Sequence, residues 1–339
     1  MSTAVNLLDE KALENYLRAN LPGFSGALKA SKFPGGQSNP TFLLEADSEK
    51  YVLRRKPPGI LLKSAHAVDR EYRVTKALLQ TDVPVAKPLL LCEDDSVIGS
   101  IFYVMEYLDG RIFWNPALPE LDNAGRTAVY QQMCSVLAAL HRVDTGAVGL
   151  GDYGKPGSYF ERQVGRWSQQ YRASETETIE AMDTLIDWLP KNLPADDGRV
   201  SLAHGDYRLD NLIFHKTEPR IIAVVDWELS TLGHPFADIA YQCMQLRLPS
   251  ENTMGGLAGL DRRLLGIPTE EEYVAMYCRH SSIDGIPHWN FYLVFSFFRL
   301  AAILQGVKKR ALDGNASSAK ALQMGELAKP LARMAVELI

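Results

Sequence analysis

The chain has 339 residues, of which 46% are apolar and 23% charged, and a formal net charge of −5. That length suits about two domains or one two-lobed enzyme, and the composition is that of an ordinary globular protein. The acidic balance gives no support to nucleic-acid binding, which usually needs a basic face, while leaving room for a local basic pocket.

Met1 to Glu10 carries no basic stretch followed by an apolar run, so no secretory leader is expected. Leu8, Leu13, Tyr16 and Leu17 recur at helical spacing, which predicts an amphipathic helix ended by Pro22-Gly23. A glycine-rich turn, Phe33-Pro-Gly-Gly-Gln-Ser-Asn, leads into two strand patterns, Pro40 to Glu45 and Tyr51 to Arg55, which suggest antiparallel pairing. A helix follows over 65–79, then strands over 88–92 and 101–108, with a break at Asp109-Gly110. Beyond it helices dominate: 123–142, a helical hairpin of 158–171 and 176–189, and most of the chain from Phe236 onward. Short strands are expected at 200–203, 211–215 and 221–226. Strands first and helices afterwards indicate an α+β arrangement.

The most apolar run, Phe291 to Leu304, is broken by Arg299 and too short to span a bilayer, so it reads as a buried helix. Four cysteines, Cys92, Cys134, Cys243 and Cys278, lie far apart without a C-x-x-C pair, which gives neither a zinc ribbon nor a redox motif. Scattered cysteines suit a reducing compartment. The expectation is a soluble, cytoplasmic protein with no nucleic-acid or membrane partner; its oligomeric state is not readable.

The strongest chemical signal is Ala203-His-Gly-Asp-Tyr-Arg-Leu-Asp-Asn-Leu-Ile-Phe. Phosphoryl transfer needs an acceptor hydroxyl held in line with the γ-phosphate and metal to neutralise the phosphates. Asp206 can accept the hydroxyl proton, and the amide oxygen of Asn211 is a suitable hard ligand for Mg²⁺. Twenty residues after Asp206, Asp226 ends an apolar strand and can supply a second, bridging magnesium contact. Gly35, Gly36, Gln37, Ser38 and Asn39 can let backbone N–H groups approach phosphates, glycine permitting the close approach. No G-x-x-x-x-G-K-[ST] run is present, so a P-loop enzyme is not indicated. Strand alternation puts Val52, Arg54 and Lys56 on one face and turns Arg55 away.

His204-Gly-Asp206 through Asn211, Asp226-Trp-Glu228, Gly233-His-Pro235 and Asp238-Ile-Ala together resemble the aminoglycoside phosphotransferase and choline kinase family. Within it the chain most resembles bacterial phosphotransferases related to the kinase-like domain of certain acyl-CoA dehydrogenase fusion proteins. The resemblance extends over about 29–241. It implies a two-lobed, protein-kinase-like α+β fold, with a sheet-rich N-terminal nucleotide-binding lobe over 1–108 and a mostly helical catalytic and substrate-binding lobe over 109–339. It implies ATP and Mg²⁺ as cofactors, Asp206 as base, and Asn211 and Asp226 as metal ligands. It also implies that Arg54 stands where the family has its phosphate-binding lysine and that Glu71 holds it, with Lys56 as the second cation to weigh. Adenine would bond the backbone of Glu106 and Leu108.

The same resemblance makes His204 an internal strut and Asp238 a tie for the catalytic loop. The acceptor is expected to be a small hydroxylated metabolite, with a hydroxyacyl-CoA or hydroxy acid as the refinement. An aminoglycoside-type antibiotic phosphotransferase and a non-catalytic nucleotide-binding pseudokinase are the alternatives. Arg299, a charge inside an apolar run, is expected to carry a structural ion pair or to meet a ligand.

Overall fold

The computed structural model describes residues 8–33, 39–47, 49–57, 67–251, 254–314 and 320–339. Its residues cluster into two compact units. The first comprises 1–111 with 213–216 and 222–228; the second comprises 112–212, 217–221 and 229–339.

The first unit is built on a five-stranded antiparallel sheet. Its strands are β1 (Leu28–Lys32), β2 (Thr41–Ala46), β3 (Glu49–Arg55), β4 (Pro88–Cys92) and β5 (Phe102–Glu106), in the order β1-β2-β3-β5-β4. Along β2, Phe42, Leu44 and Ala46 are buried, and along β5 so are Phe102 and Val104; all join Leu13 and Leu17 of α1 (Glu10–Asn20) in one core cluster. Asp9 caps α1 by accepting from Ala12 N–H at 2.9 Å. Alternation sends Tyr103 and Arg54 to the opposite face, where α2 (Val68–Leu78) supplies Glu71 and Tyr72. Fully burying one such Leu or Phe contributes about 1.5–3 kcal/mol, so the alternation of β2 and β5 decides which face receives α1.

The second unit holds α3 (Asn123–His141), α4 (Tyr159–Ser174), α5 (Glu180–Trp188) and the short strands β6 (Ser201–Ala203) and β9 (Thr231–Gly233). It continues through α6 (Phe236–Leu246), α7 (Glu270–Ser281), α8 (Trp289–Leu312), α9 (Ala321–Gly325) and α10 (Ala328–Val336). The intervening β7 (Leu212–Phe214) and β8 (Ile221–Val224) pair as a two-stranded ribbon, and β6 pairs antiparallel with β9. α8 has the length and hydropathy of a membrane-crossing helix. Its side chains from Phe291 to Ala302 are nonetheless buried, and it packs on α4, α6, α9 and α10.

Three features differ from the sequence reading. A single boundary at Leu108 makes the units continuous, whereas most of the β7–β8 ribbon and Asp226 cluster with the first unit. The reason is backbone pairing: Arg111 and Phe214 exchange two N–H···O bonds of 2.9 Å, and Val224 N–H donates to Pro84 C=O at 2.8 Å. Second, α4 and α5 do not pair chiefly as a hairpin; α4 lies along α8 and α5 against α10, so the C-terminal helices supply their apolar partners. Third, β1 and β9 are added strands: β1 buries only Leu28, and β9 is too short for its pattern to show in the sequence. The predicted glycine-rich turn at 34–38 lies outside the described residues.

Candidate active site

In the first unit the polar side chains converge on Arg54. Register places it directly opposite Thr41 on β2 and Tyr103 on β5, its side chain toward α2. Nε lies 2.8 Å from Glu71 Oε2, and Nη2 donates to Asp226 Oδ1 at 2.5 Å, with Glu228 Oε2 at 3.8 Å. Asn39 Nδ2 donates to Glu71 Oε1 at 2.7 Å. The Asn39 side chain thus ties the end of the expected phosphate-binding turn to Glu71, while the expected phosphate contact is through the backbone. Burial alone would lower the Arg54 pKa. The negative charges of Glu71 and Asp226, with Tyr103 and Glu228 adding to them, outweigh burial and raise it, so Arg54 is a permanent cation. Burial raises the Glu71 pKa, opposed by Arg54 and by the Asn39 bond.

Lys56 has its Nζ 3.9 Å from Asp69 Oδ1, outside this cluster, so the carboxylates gather around Arg54 and not Lys56. Arg55 points to the other face, as alternation required. There it is buried, with Nη1 donating to Ile98 C=O at 3.3 Å and the guanidinium over the Phe42 ring. Asp226 follows β8 with φ +65°, a left-handed conformation that aspartate tolerates better than most residues. At the end of β5, Glu106 N–H donates to Lys87 C=O at 3.0 Å, its carboxylate accepts Lys87 N–H at 2.7 Å, and Leu108 C=O accepts from Gly110 N–H at 3.1 Å.

In the second unit the loop after β6 carries His204, Gly205 and Asp206. Asp238, in the first turn of α6, is fully buried: its Oδ2 accepts His204 N–H at 2.7 Å and its Oδ1 accepts Gly205 N–H at 2.8 Å. His141 at the end of α3 reaches the same carboxylate at 3.2 Å through Nε2, while its Nδ1 lies 2.7 Å from the Tyr277 hydroxyl. Burial by itself raises the Asp238 pKa. The hydrogen bond from His141, the nearby His204 ring and the Gly205 N–H reverse this, and the net direction is down.

His204 is completely buried, and its Nδ1 accepts Asp206 N–H at 3.2 Å, an internal strut. Asn211 Nδ2 donates both to Asp206 C=O at 2.9 Å and to Asp206 Oδ2 at 3.0 Å, so its amide oxygen is the atom left for a cation. Burial, with the charge of Asp206 adding to it, pushes the Tyr241 pKa up and keeps its hydroxyl neutral.

Of the arginines weighed for an anionic ligand, Arg208 forks onto Asp210, Arg247 holds Glu270 at 2.6 Å twice over, and Arg263 pairs with Glu272. Arg299 differs. Among the described residues no carboxylate lies within 4.0 Å of it, contrary to the expected ion pair; it donates to Gly205 C=O and sits over the Trp167 and Tyr241 rings. The sequence reading missed His141, Tyr277, Trp167 and Tyr241. Only Tyr241 left a signal, standing three residues after Asp238 on the same face of α6.

Among the described residues no group of three or more His, Cys, Asp or Glu side chains forms a ready-made metal site. The Asp226 carboxylate and the Asn211 amide oxygen are each hard donors of the kind Mg²⁺ takes, an ion that keeps waters and substrate phosphates as most of its ligands.

Residues 29–277 match the model of the phosphotransferase enzyme family. Acyl-CoA dehydrogenase family member 10 of Mus musculus is 51% identical over 330 residues, covering 97% of this chain and 31% of that protein. Across the curated relatives reported, the chain spans 31–43% of their length. A solved structure from Ralstonia eutropha JMP134, assigned as an aminoglycoside phosphotransferase, is 52% identical with TM-score 0.89 and 98% of each chain covered. A thermostable mutant of the aminoglycoside phosphotransferase APH(4)-Ia, solved as a ternary complex with ADP and hygromycin B, is 15% identical with TM-score 0.63. That match covers 96% of this chain and 98% of its own. At such identity the likeness speaks for the two-lobed kinase-like α+β fold alone. By the family model and the Ralstonia relative, the chain belongs to the phosphotransferase enzyme family.

Proposed function

We propose that this phosphotransferase moves the γ-phosphate of ATP to a hydroxyl of a small metabolite, with Asp206 as the group that orients the hydroxyl and takes its proton. One observation carries the reading: Asn211 Nδ2 bonds both the backbone and the carboxylate of Asp206. That pair of hydrogen bonds fixes the carboxylate's rotamer. It also turns the Asn211 amide oxygen outward, and we assign Asn211 and Asp226 as the protein's Mg²⁺ ligands. When bound, the metal neutralises phosphate charge and aligns the γ-phosphate.

Arg54, held by Glu71, is the cation for the phosphates. Unlike lysine, it presents a planar fork to them. The backbone of Glu106 and Leu108 and the glycines Gly35 and Gly36, with Gln37 and Ser38, complete the proposed nucleotide contacts. ADP in the APH(4)-Ia complex supports ATP as the donor. The 51% identity to an acyl-CoA dehydrogenase family member supports a hydroxyacyl-CoA or hydroxy acid as the acceptor.

The test is ADP release and phosphate-ester formation over hydroxyacyl-CoAs, hydroxy acids, amino alcohols, sugars and aminoglycosides, with Asp206→Asn in parallel. A positioned base contributes about 10²- to 10⁴-fold in rate, so Asp206→Asn should lower kcat by that order with ATP affinity kept. Wild-type turnover by a folded Asp206→Asn protein overturns the assignment. An aminoglycoside used in preference to every acyl or acid acceptor overturns the acceptor class.

A further inference from the structure

We propose that Arg299 is a positioning residue: from the core helix α8 it fixes the plane of the Gly205–Asp206 peptide, and thereby the orientation of Asp206. A peptide group is planar, so holding its C=O and its N–H at once leaves it no rotation. The Gly205–Asp206 peptide is held in this way. Its C=O accepts from Arg299 Nη2 at 2.7 Å and its N–H donates to His204 Nδ1 at 3.2 Å. The preceding peptide is tied by the Gly205 N–H to Asp238 at 2.8 Å.

Such a grip is needed at this position. Gly205 has φ +83°, and a Cβ there would meet the Leu229 carbonyl oxygen at 2.7 Å, so only glycine fits. Glycine also brings the loosest backbone of any residue directly before the candidate base. External bonds must supply the rigidity that the residue lacks.

The surroundings of Arg299 suit this task. Its guanidinium is buried, with Nε unpartnered, and no carboxylate among the described residues diverts it. The Trp167 and Tyr241 ring centroids lie 5.6 and 5.4 Å from its carbon, so cation–π attraction offsets part of the desolvation cost.

The inference rests on Asp206 as the group that meets the acceptor, but half of its test does not. Amide hydrogen exchange is followed at 204–207 in the full chain, as wild type and as Arg299→Met, Arg299→Lys and Trp167→Leu. Arg299→Met should speed exchange in this loop by about 10- to 100-fold, the factor matching one lost hydrogen bond to a charged group, while α6 and α8 keep their protection. Arg299→Lys, which retains a charged donor, should recover part of it, and Trp167→Leu, less buried, should give a smaller acceleration.

Turnover is read as ADP release from Mg·ATP with water as acceptor. A misplaced reacting group costs about 10²-fold, so kcat of Arg299→Met should fall by that order with KM for ATP unchanged. Unchanged loop exchange overturns the proposal, as does equal acceleration throughout the chain, which is a merely structural role. Faster loop exchange with wild-type kcat overturns the link to Asp206. Should Asp206→Asn turn over normally, the reading of Asp206 fails, while the exchange result still decides whether Arg299 holds the peptide.

Discussion

Replacing Arg54 by alanine tests whether the cation gathers Glu71 and Asp226 as the geometry indicates. The substitution removes the one guanidinium bonded to Glu71, which is 1% exposed and cannot be reached by water in its place. Breaking a buried ion pair by deleting one partner costs about 3–5 kcal/mol. Arg54 itself is only 13% exposed, whereas Asp226 at 32% and Glu228 at 20% can partly resolvate, so most of that loss falls on Glu71.

The sign with pH follows from Glu71. Burial already raises its pKa in the folded state, and loss of Arg54, the largest opposing influence, raises it further. A group whose folded pKa exceeds its unfolded value favours the fold below the unfolded pKa and loses that contribution as pH rises through the folded one. The stability gap between wild type and Arg54→Ala should therefore be widest at neutral pH and narrow on acidification. Urea denaturation at several pH values, with the apparent KM for ATP on the same samples, measures both. Arg54→Lys should keep partial activity. A gap below about 1 kcal/mol at neutral pH, the range of an exposed pair, or a gap independent of pH, would refute the reasoning; an unchanged KM and kcat would remove Arg54 from the nucleotide site.

Other outcomes follow from the same geometry. Asp226→Ala should nearly abolish turnover in a folded protein, and an unaltered rate and magnesium dependence in a titration with MgCl₂ would remove Asp226 from the mechanism. Asp238 has a folded pKa below its unfolded value of about 3.9, so its stabilisation is present above that pH and lost as pH falls through the depressed value. Asp238→Asn should melt lower at neutral pH and lose less on acidification than wild type, which calorimetry between neutral and acid pH would show. Gly205→Ala places a side chain at φ +83° against the Leu229 carbonyl. Strain of this kind costs about 1–3 kcal/mol, and the variant should lose both stability and kcat; unaltered values for both would mean the loop relaxes without consequence.

By itself the sequence determined the fold class, four of the five strands of the first unit's sheet and the motif residues. These are local properties: alternation in Phe42, Leu44 and Ala46 selects a strand face, and Asp206, Asn211 and Asp226 keep a spacing along the chain that carries the family resemblance. Even the direction of Arg55 followed from period two alone.

What the tertiary structure decided is partnership across long separations. The resemblance alone had favoured Arg54 over Lys56; the geometry behind it came when α2 placed Glu71 beside one and Asp69 beside the other. Asp226 joins the first unit because backbone bonds to Pro84, and to Arg111 through Phe214, hold its ribbon there, and no local pattern encodes such bonds. Arg299, 94 residues beyond Gly205, looked like a charge in search of a carboxylate. Burial demands that a cation find compensation but does not say of what kind. A backbone carbonyl and two aromatic faces meet that demand here, and only the packing of α4, α6 and α8 brings them together.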